Sequence, residues 1–256
     1  MIHKTAIVSS KAEIHDSVEV GPFTVIEDNV VVGEGSKIGS HVQLSSGARL
    51  GKNVQVYTGA VIGSVPQDLK FEGEDSLANV GDNTIIREYA TFNRGTNESG
   101  SSDVGMNCLL MAYSHIAHDC KIGNNVILAN SVNLAGHIHI DDHAIIGGIV
   151  PVHQFVHIGA HVMIGGGFRV PQDVCPYSMV GGYPLKVMGL NIIGLRRRGF
   201  SREAIGMLQK VFKRLFFSNL NTKQAVASIR DEIEKTPEVE VVLRFIENSS
   251  GRGITK

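Results

Sequence analysis

The stretch Leu110-Met-Ala-Tyr-Ser-His115-Ile-Ala-His118-Asp119-Cys120-Lys-Ile122-Gly-Asn-Asn-Val126-Ile-Leu128-Ala-Asn-Ser-Val132-Asn-Leu134 carries one aliphatic at every sixth position: Leu110, Ile116, Ile122, Leu128 and Leu134. The spacing extends back to Val104 and forward through Ile140, Ile146, Val152, Ile158 and Ile164 to Val170. It also runs from Ile2 through Val8, Ile14, Val20, Ile26, Val32, Ile38, Leu44, Leu50 and Val56 to Ile62, and again over Val80, Ile86 and Phe92. Four residues after many of these stands a small or medium side chain, as at Ala6, Ala12, Val18, Val126, Val132 and Ala144. A helix repeats at 3.6 residues and a strand at 2, so neither explains a period of six. A triangular coil does, with one short strand per side and a turn at each corner. The stacked strands run parallel, which predicts a parallel β-helix; the period leaves its hand open. Glycines after the aliphatics (Gly33, Gly39, Gly51, Gly123, Gly159) and Asn53, Asn83, Asn124 and Asn125 are expected at corners of unusual φ.

Three sides make an 18-residue coil. His118, Gly136 and Gln154 are 18 apart and fall in one column, with His115, His137 and His153 close to it. Coils lie about 4.8 Å apart, so three histidines, Asp119 and a backbone amide gather within roughly 10 Å. Two chemistries fit. Three histidines can hold zinc with a fourth position open to water. Alternatively, a neutral His118 removes a proton from a hydroxyl near pH 7, Asp119 orients it, and the Gly136 N–H stabilises an oxyanion. The column has no nucleophilic Ser or Cys, which favours direct transfer over a covalent enzyme intermediate. Neighbours on a strand face opposite ways, so pairing His118 with Asp119 requires a corner. The pairs His139/His157 and His143/His161 are also 18 apart, but in other columns, where a structural role is expected.

The remaining sequence supplies the setting. The 256 residues are 43% hydrophobic and carry a net charge of −1, an ordinary globular composition without the basic footprint of a nucleic-acid binder. No apolar run reaches the roughly 18 residues of a membrane span. The repeat starts at Ile2, and Cys108, Cys120 and Cys175 read as buried free thiols, so a cytoplasmic chain without a signal peptide is expected. The β-helix is expected over 1–190, with excursions near 64–79 and 97–103. Gln67-Asp68-Leu69-Lys70 lies in the first; Asp68 can accept from a sugar hydroxyl and Lys70 can meet a phosphate. Nothing chemical stands out in the second. Pro171, Pro176 and Pro184 mark the exit from the coil. A helical domain over 191–256 follows, with Ser201 and Thr222 as N-caps and Pro237 in a first turn. It holds 13 Lys/Arg against 7 Asp/Glu, leaving 11 against 18 in the rest, so it is a candidate docking surface for an acidic partner.

The segments His115–Cys120, Leu134–His137, Val152–Met163 and Asn191–Ser201, with Gln67–Lys70, closely resemble the acyl-(acyl-carrier-protein)–UDP-N-acetylglucosamine O-acyltransferase family. The resemblance spans nearly the whole chain. It implies a left-handed β-helix in a homotrimer, with sites in clefts between subunits. It also implies transfer of an (R)-3-hydroxyacyl group from acyl carrier protein to the 3-hydroxyl of UDP-N-acetylglucosamine, opening lipid A synthesis without metal or cofactor. Carried over by motif, His118 is the general base and Gly136 the oxyanion donor. Gln67, Asp68, Lys70, His115, His137, His153 and Gln154 line the substrate site. Asn191, Arg197 and Arg198 face the nucleotide or the carrier-protein phosphate, and Gly166 lies near the chain-length ruler. Asn93, where the family commonly has His, and Ile193, where relatives can have an acidic residue, depart from the pattern. Three rivals are the N-acyltransferase of the same pathway, a zinc γ-type carbonic anhydrase and a non-enzymatic solenoid scaffold, the last disfavoured by the off-repeat loop and the histidine column; a 3-amino version of the sugar also stays open as acceptor. The N-acyltransferase family carries a separate N-terminal uridine-binding domain, whereas here the coil begins at Ile2.

Overall fold

A computed structural model describes residues 1–249 and 251–256. Three sheets of eight, eight and ten strands form the faces of a triangular prism. His115–Ile116 lies on the first face, Lys121–Ile122 on the second and Ile127–Leu128 on the third. Coil-to-coil pairing is parallel, with Ile116 on Leu134 and Leu134 on Val152. The sixth-residue aliphatics point inward, and Ile26, Leu44, Ile62, Phe92, Ile116, Leu134 and Val152 are all buried. Each coil therefore buries its apolar set only against the coils above and below it, as a solenoid must.

The turns are built differently from the sequence expectation. At most corners one residue has positive φ, and it is usually not glycine: Asn53, Asn83, Tyr113, Asp119, Asn125, His137, His143 and Phe155 are examples. Asn53, Asn83 and Asn125 therefore behave as expected. Asn124 does not; its side chain accepts from the Met106 N–H at 2.9 Å, and its own N–H donates to Asp142 at 2.7 Å. Gly33, Gly39, Gly51, Gly123 and Gly159 are not among the positive-φ residues either. They are required for close approach: a Cβ on Gly33 would lie 2.5 Å from the Gly51 oxygen, and one on Gly105 would lie 2.6 Å from the Gly123 oxygen.

Two insertions interrupt the coil at the same corner. Ile62 stacks on Leu44 below it, an ordinary coil step, and on Phe92 above it. The step from Ile62 to Phe92 exceeds the ordinary one by two repeat units, which is the length of the first insertion. Val80 stacks on Leu50, so the step from Ile62 to Val80 is one side of the prism plus this insertion, not a whole coil. Phe92 stacks in turn on Ile116, a step too long by a single repeat unit, which is the second insertion. Both insertions are whole numbers of repeat units, which is why the sequence period resumes unbroken. The first excursion is shorter than 64–79, bounded by strands Val61–Ser64 and Leu77–Val80, and the second begins and ends three residues before 97–103, bounded by strands Thr91–Asn93 and Ser101–Val104.

The coil continues past Val170. Ser178–Gly181 pairs in parallel with Met163–Ile164 and then antiparallel with Lys186–Leu190. Four helices follow: α1 (Ile192–Arg197), α2 (Arg202–Phe216), α3 (Thr222–Glu232) and α4 (Pro237–Glu247). Ser201 caps α2, and Pro237 opens α4. The cap of α3 is Asn221 rather than Thr222, because Asn221 and Gln224 form a reciprocal capping box that makes Thr222 the first helical residue. The short α1 has no counterpart in the sequence expectation. The chain end returns to the solenoid, where the Thr255 N–H donates to the Asp173 oxygen at 2.8 Å.

Close coil packing and open helix surface give opposite expectations for the same substitution. Gly105→Ala should destabilise by about 1–3 kcal/mol, because the neighbouring backbone must move. Gly206 lies within α2 with open space around its Cβ position, so Gly206→Ala should stabilise by up to about 1 kcal/mol. Melting temperatures of the two variants, moving in opposite directions from that of the parent, check this.

Candidate active site

Both insertions leave at the corner between the first and second faces, and His118 lies at that corner on the coil above them. The corner turn explains a pairing that a strand would forbid. Asp119 has φ 58°, which swings its carboxylate back toward its neighbour. His118 Nδ1 lies 2.8 Å from Asp119 Oδ2. On the next coil Gly136 occupies the position of His118, and a Cβ there would stand 2.7 Å from His118 Cε1 and 2.8 Å from its Nε2. Glycine is what lets the imidazole lie across the coil boundary. His137 meets the His118 ring edge-on at 5.0 Å and stacks on Phe155 at 4.5 Å.

The second insertion serves Asp119. The Thr96 N–H donates to Oδ1 at 2.9 Å, Thr96 Oγ1 to Oδ2 at 2.7 Å, and Ser99 Oγ makes a short bond to Oδ1. Burial by itself would raise the carboxyl pKa; the donors Ser99, Thr96 and His118 outweigh it and hold the group down at about 2. Asp119 is therefore a fixed anion that fills its remaining acceptor positions from one loop. With Nδ1 donating to this carboxylate, the other ring nitrogen, Nε2, is the one free to accept a proton.

The first insertion forms the facing wall. A cleft of about 480 Å³ is lined by Gln67, Asp68 and Lys70 from that loop and by His118, His137 and Gln154 from the coil. Asp68 Oδ2 stands 4.0 Å from His118 Nε2. Asn93 is buried and anchors the loop, with Nδ2 donating to Ser64 Oγ at 2.8 Å and to the Val65 oxygen at 3.1 Å. Sequence reasoning missed Glu72, Glu74, Thr96, Asn97, Glu98 and Phe155, which also line the cleft. Glu98 Oε2 is 3.7 Å from His137 Nε2. The available signal was that two off-repeat segments leave one corner, so whatever lies on the second faces the first.

Other expected site residues lie elsewhere on this chain. His115 is on the first face, with its ring 2.7 Å from Thr91 Oγ1. His153 is half-buried beside Gln154, its Nδ1 3.2 Å from the Gln154 oxygen. Gly166 is exposed at the corner between the third and first faces. Asn191 caps α1, accepting from the Gly194 N–H, and its Nδ2 donates to the His161 oxygen at the corner between the second and third faces. Arg197 and Arg198 are exposed at the end of α1. The expected set is thus spread over all three edges of the prism.

Comparison with known proteins agrees over the full chain. A family model described as Udp N-acetylglucosamine O-acyltransferase, domain 2, matches residues 173–255, and the bacterial transferase hexapeptide model matches 11–46 and 101–136. The chain is similar to acyl-(acyl-carrier-protein)–UDP-N-acetylglucosamine O-acyltransferases from Trichlorobacter lovleyi (56% identity, 100% of this chain and 99% of the relative) and Aquifex aeolicus (57%, 100% and 98%). It is also similar to the solved UDP-N-acetylglucosamine acyltransferase of Bacteroides fragilis, with a TM-score of 0.97, 45% identity and complete coverage of both chains. With these neighbours, the coil is a left-handed parallel β-helix followed by a small helical part.

The clamp on Asp119 gives a pH-dependent stability with a defined sign. The native carboxyl pKa is below the unfolded value of about 3.9, so its contribution is fully present above pH ~4 and is lost as pH falls toward 2. Asp119→Asn should therefore flatten the melting-temperature profile between pH 4 and 2. Thr96→Val, which removes one donor, should lie between the variant and the parent. Thermal melts at half-unit pH steps provide the comparison.

Proposed function

We propose that this chain, which belongs to the acyl-(acyl-carrier-protein)–UDP-N-acetylglucosamine O-acyltransferase family and carries that activity, the first step of lipid A biosynthesis, transfers the acyl group directly with His118 as general base. The carrying observation is the 2.8 Å contact between His118 Nδ1 and the clamped Asp119, with Nε2 turned to a cleft walled by Asp68. In this reading Nε2 takes the proton of the sugar 3-hydroxyl as its oxygen attacks the thioester carbonyl of the carrier-bound 3-hydroxyacyl chain. The Gly136 N–H meets the oxyanion. Collapse of the tetrahedral intermediate expels the carrier thiolate, which takes the proton back from the imidazolium. The fixed Asp119 anion stabilises that imidazolium throughout, and no metal or cofactor is required.

A homotrimer with sites between subunits is part of the same proposal. Gly166, Asn191 and the arginines lie on other edges of the prism than His118, so one chain alone does not present them to one ligand. A threefold arrangement sets one chain's first corner beside another edge of its neighbour. Gly166 then limits the acyl chain, and Asn191, Arg197 and Arg198 meet nucleotide or carrier phosphate. Acyl carrier protein docks on the basic C-terminal part, where Lys210, Lys213, Arg214 and the exposed Phe217 share a groove. Cys108, Cys120 and Cys175 are buried free thiols, which fits a cytoplasmic setting, and among the described residues no helix is long and apolar enough to cross a membrane.

Two outcomes check the reading. His118→Ala should lower kcat about 10²–10⁴-fold with little change in KM for the nucleotide sugar, and chelator treatment of the parent should leave kcat unchanged. A chelator-sensitive kcat would return the zinc alternative. Lys213→Glu should raise KM for the carrier protein, more so at low salt, and leave KM for the sugar alone, as steady-state kinetics at two ionic strengths would show.

A further inference from the structure

We propose that His139, Asp141 and His157 form a binding site for a divalent cation of the zinc class on the outer second face, separate from the acyl-transfer corner. His139 and Asp141 are two residues apart and project from the same side, and the coil register places His157 on His139. The three ligand atoms lie within 4.8 Å of one another. Asp141 Oδ1 is 3.0 Å from His157 Nε2 and 3.4 Å from His139 Nε2. Bonds of about 2.0–2.1 Å in a tetrahedral site put neighbouring ligand atoms about 3.3 Å apart, so both separations already match. The two imidazoles stack at 4.5 Å, 18° from parallel. Each must swivel about its Cβ–Cγ bond to aim at a common ion, a motion that soft sp³–sp² torsions permit.

The ligand chemistry selects the ion. Two imidazoles and one carboxylate suit zinc or cobalt and leave one position for water; magnesium and calcium want more oxygens. Among the described residues the other grouping of this kind, His118, Asp119 and His137, is less suited, because Asp119 is occupied by Thr96 and Ser99 as well as His118. Asp141 has the two imidazoles as its side-chain neighbours. Phe245 of α4 packs on the His157 ring at 4.5 Å, so an ion here would tie the outer face of the coil to the helical part.

The test uses metal-stripped full-length protein titrated with Co²⁺, then with Zn²⁺ in competition. The expected result is one equivalent of cobalt with a visible tetrahedral absorption band, displaced by zinc, and a rise in melting temperature on zinc addition. Loss of an outer-shell partner weakens metal sites about 10–100-fold, so His139→Ala and Asp141→Asn should each weaken binding at least about 10-fold. His118→Ala should bind as the parent does. Full acyltransferase turnover with and without the ion separates this site from the catalytic reading. A band that survives in His139→Ala and Asp141→Asn, a band lost in His118→Ala, or no band at one equivalent would each overturn the proposal.

Discussion

The constraint on which everything else depends is the vertical hydrogen-bond register between coils. Most coil strands are only two or three residues long and, unlike the closing antiparallel pair Ser178–Gly181 and Lys186–Leu190, have no hairpin partner; their order comes from the strand of the coil below. Parallel strands spaced about 4.8 Å apart leave no room for a coil of the wrong length. An insertion is tolerated only if the chain returns to the same corner with the same side inward. The two excursions, one of two repeat units and one of a single unit, meet that condition. A shift by one residue would turn Val80 or Val104 outward and expose the apolar set of every later coil.

The same constraint builds the site. Successive coils present His118, Gly136 and Gln154 in one column and Asp119, His137 and Phe155 in the next, without any long-range folding of loops. The insertions then bring groups the repeat cannot supply: a facing wall with Asp68, and hydroxyl and amide donors for Asp119. Holding a carboxylate ionised beside an imidazole in a partly buried place needs several donors, and these come from a single short loop. The left-handed backbone at Asp119 is unfavourable for a non-glycine residue by about 1–3 kcal/mol. Its presence at the His118 corner follows from the turn geometry shared by most corners of the coil.

Much of this was legible in the residues. The six-residue period set the prism, the inward aliphatics and the 18-residue column, because inward packing leaves its mark at every coil. The corner chemistry was not, since a turn needing positive φ accepts Asn, His, Tyr, Phe or Asp provided stacking offsets the strain; the signature is conformational, not compositional. Thr96 and Ser99 looked like a polar loop because their target, Asp119, is distant in sequence. Asn191 looked like a ligand contact; on this chain its side chain caps a helix and bridges to His161. The cap of α3 moved by one residue because Asn221 and Thr222 both have capping side chains and only Asn221 has Gln224 at the reciprocal position.

The central claim is that chemistry takes place at the corner where both insertions leave the coil, with His118 Nε2 as the proton acceptor. Determining the structure of the protein with UDP-N-acetylglucosamine bound tests it most directly. The account requires the sugar 3-hydroxyl within about 3 Å of His118 Nε2, with Nδ1 still bonded to Asp119. A sugar bound at another edge of the prism, or with its 3-hydroxyl facing away from His118, would contradict it.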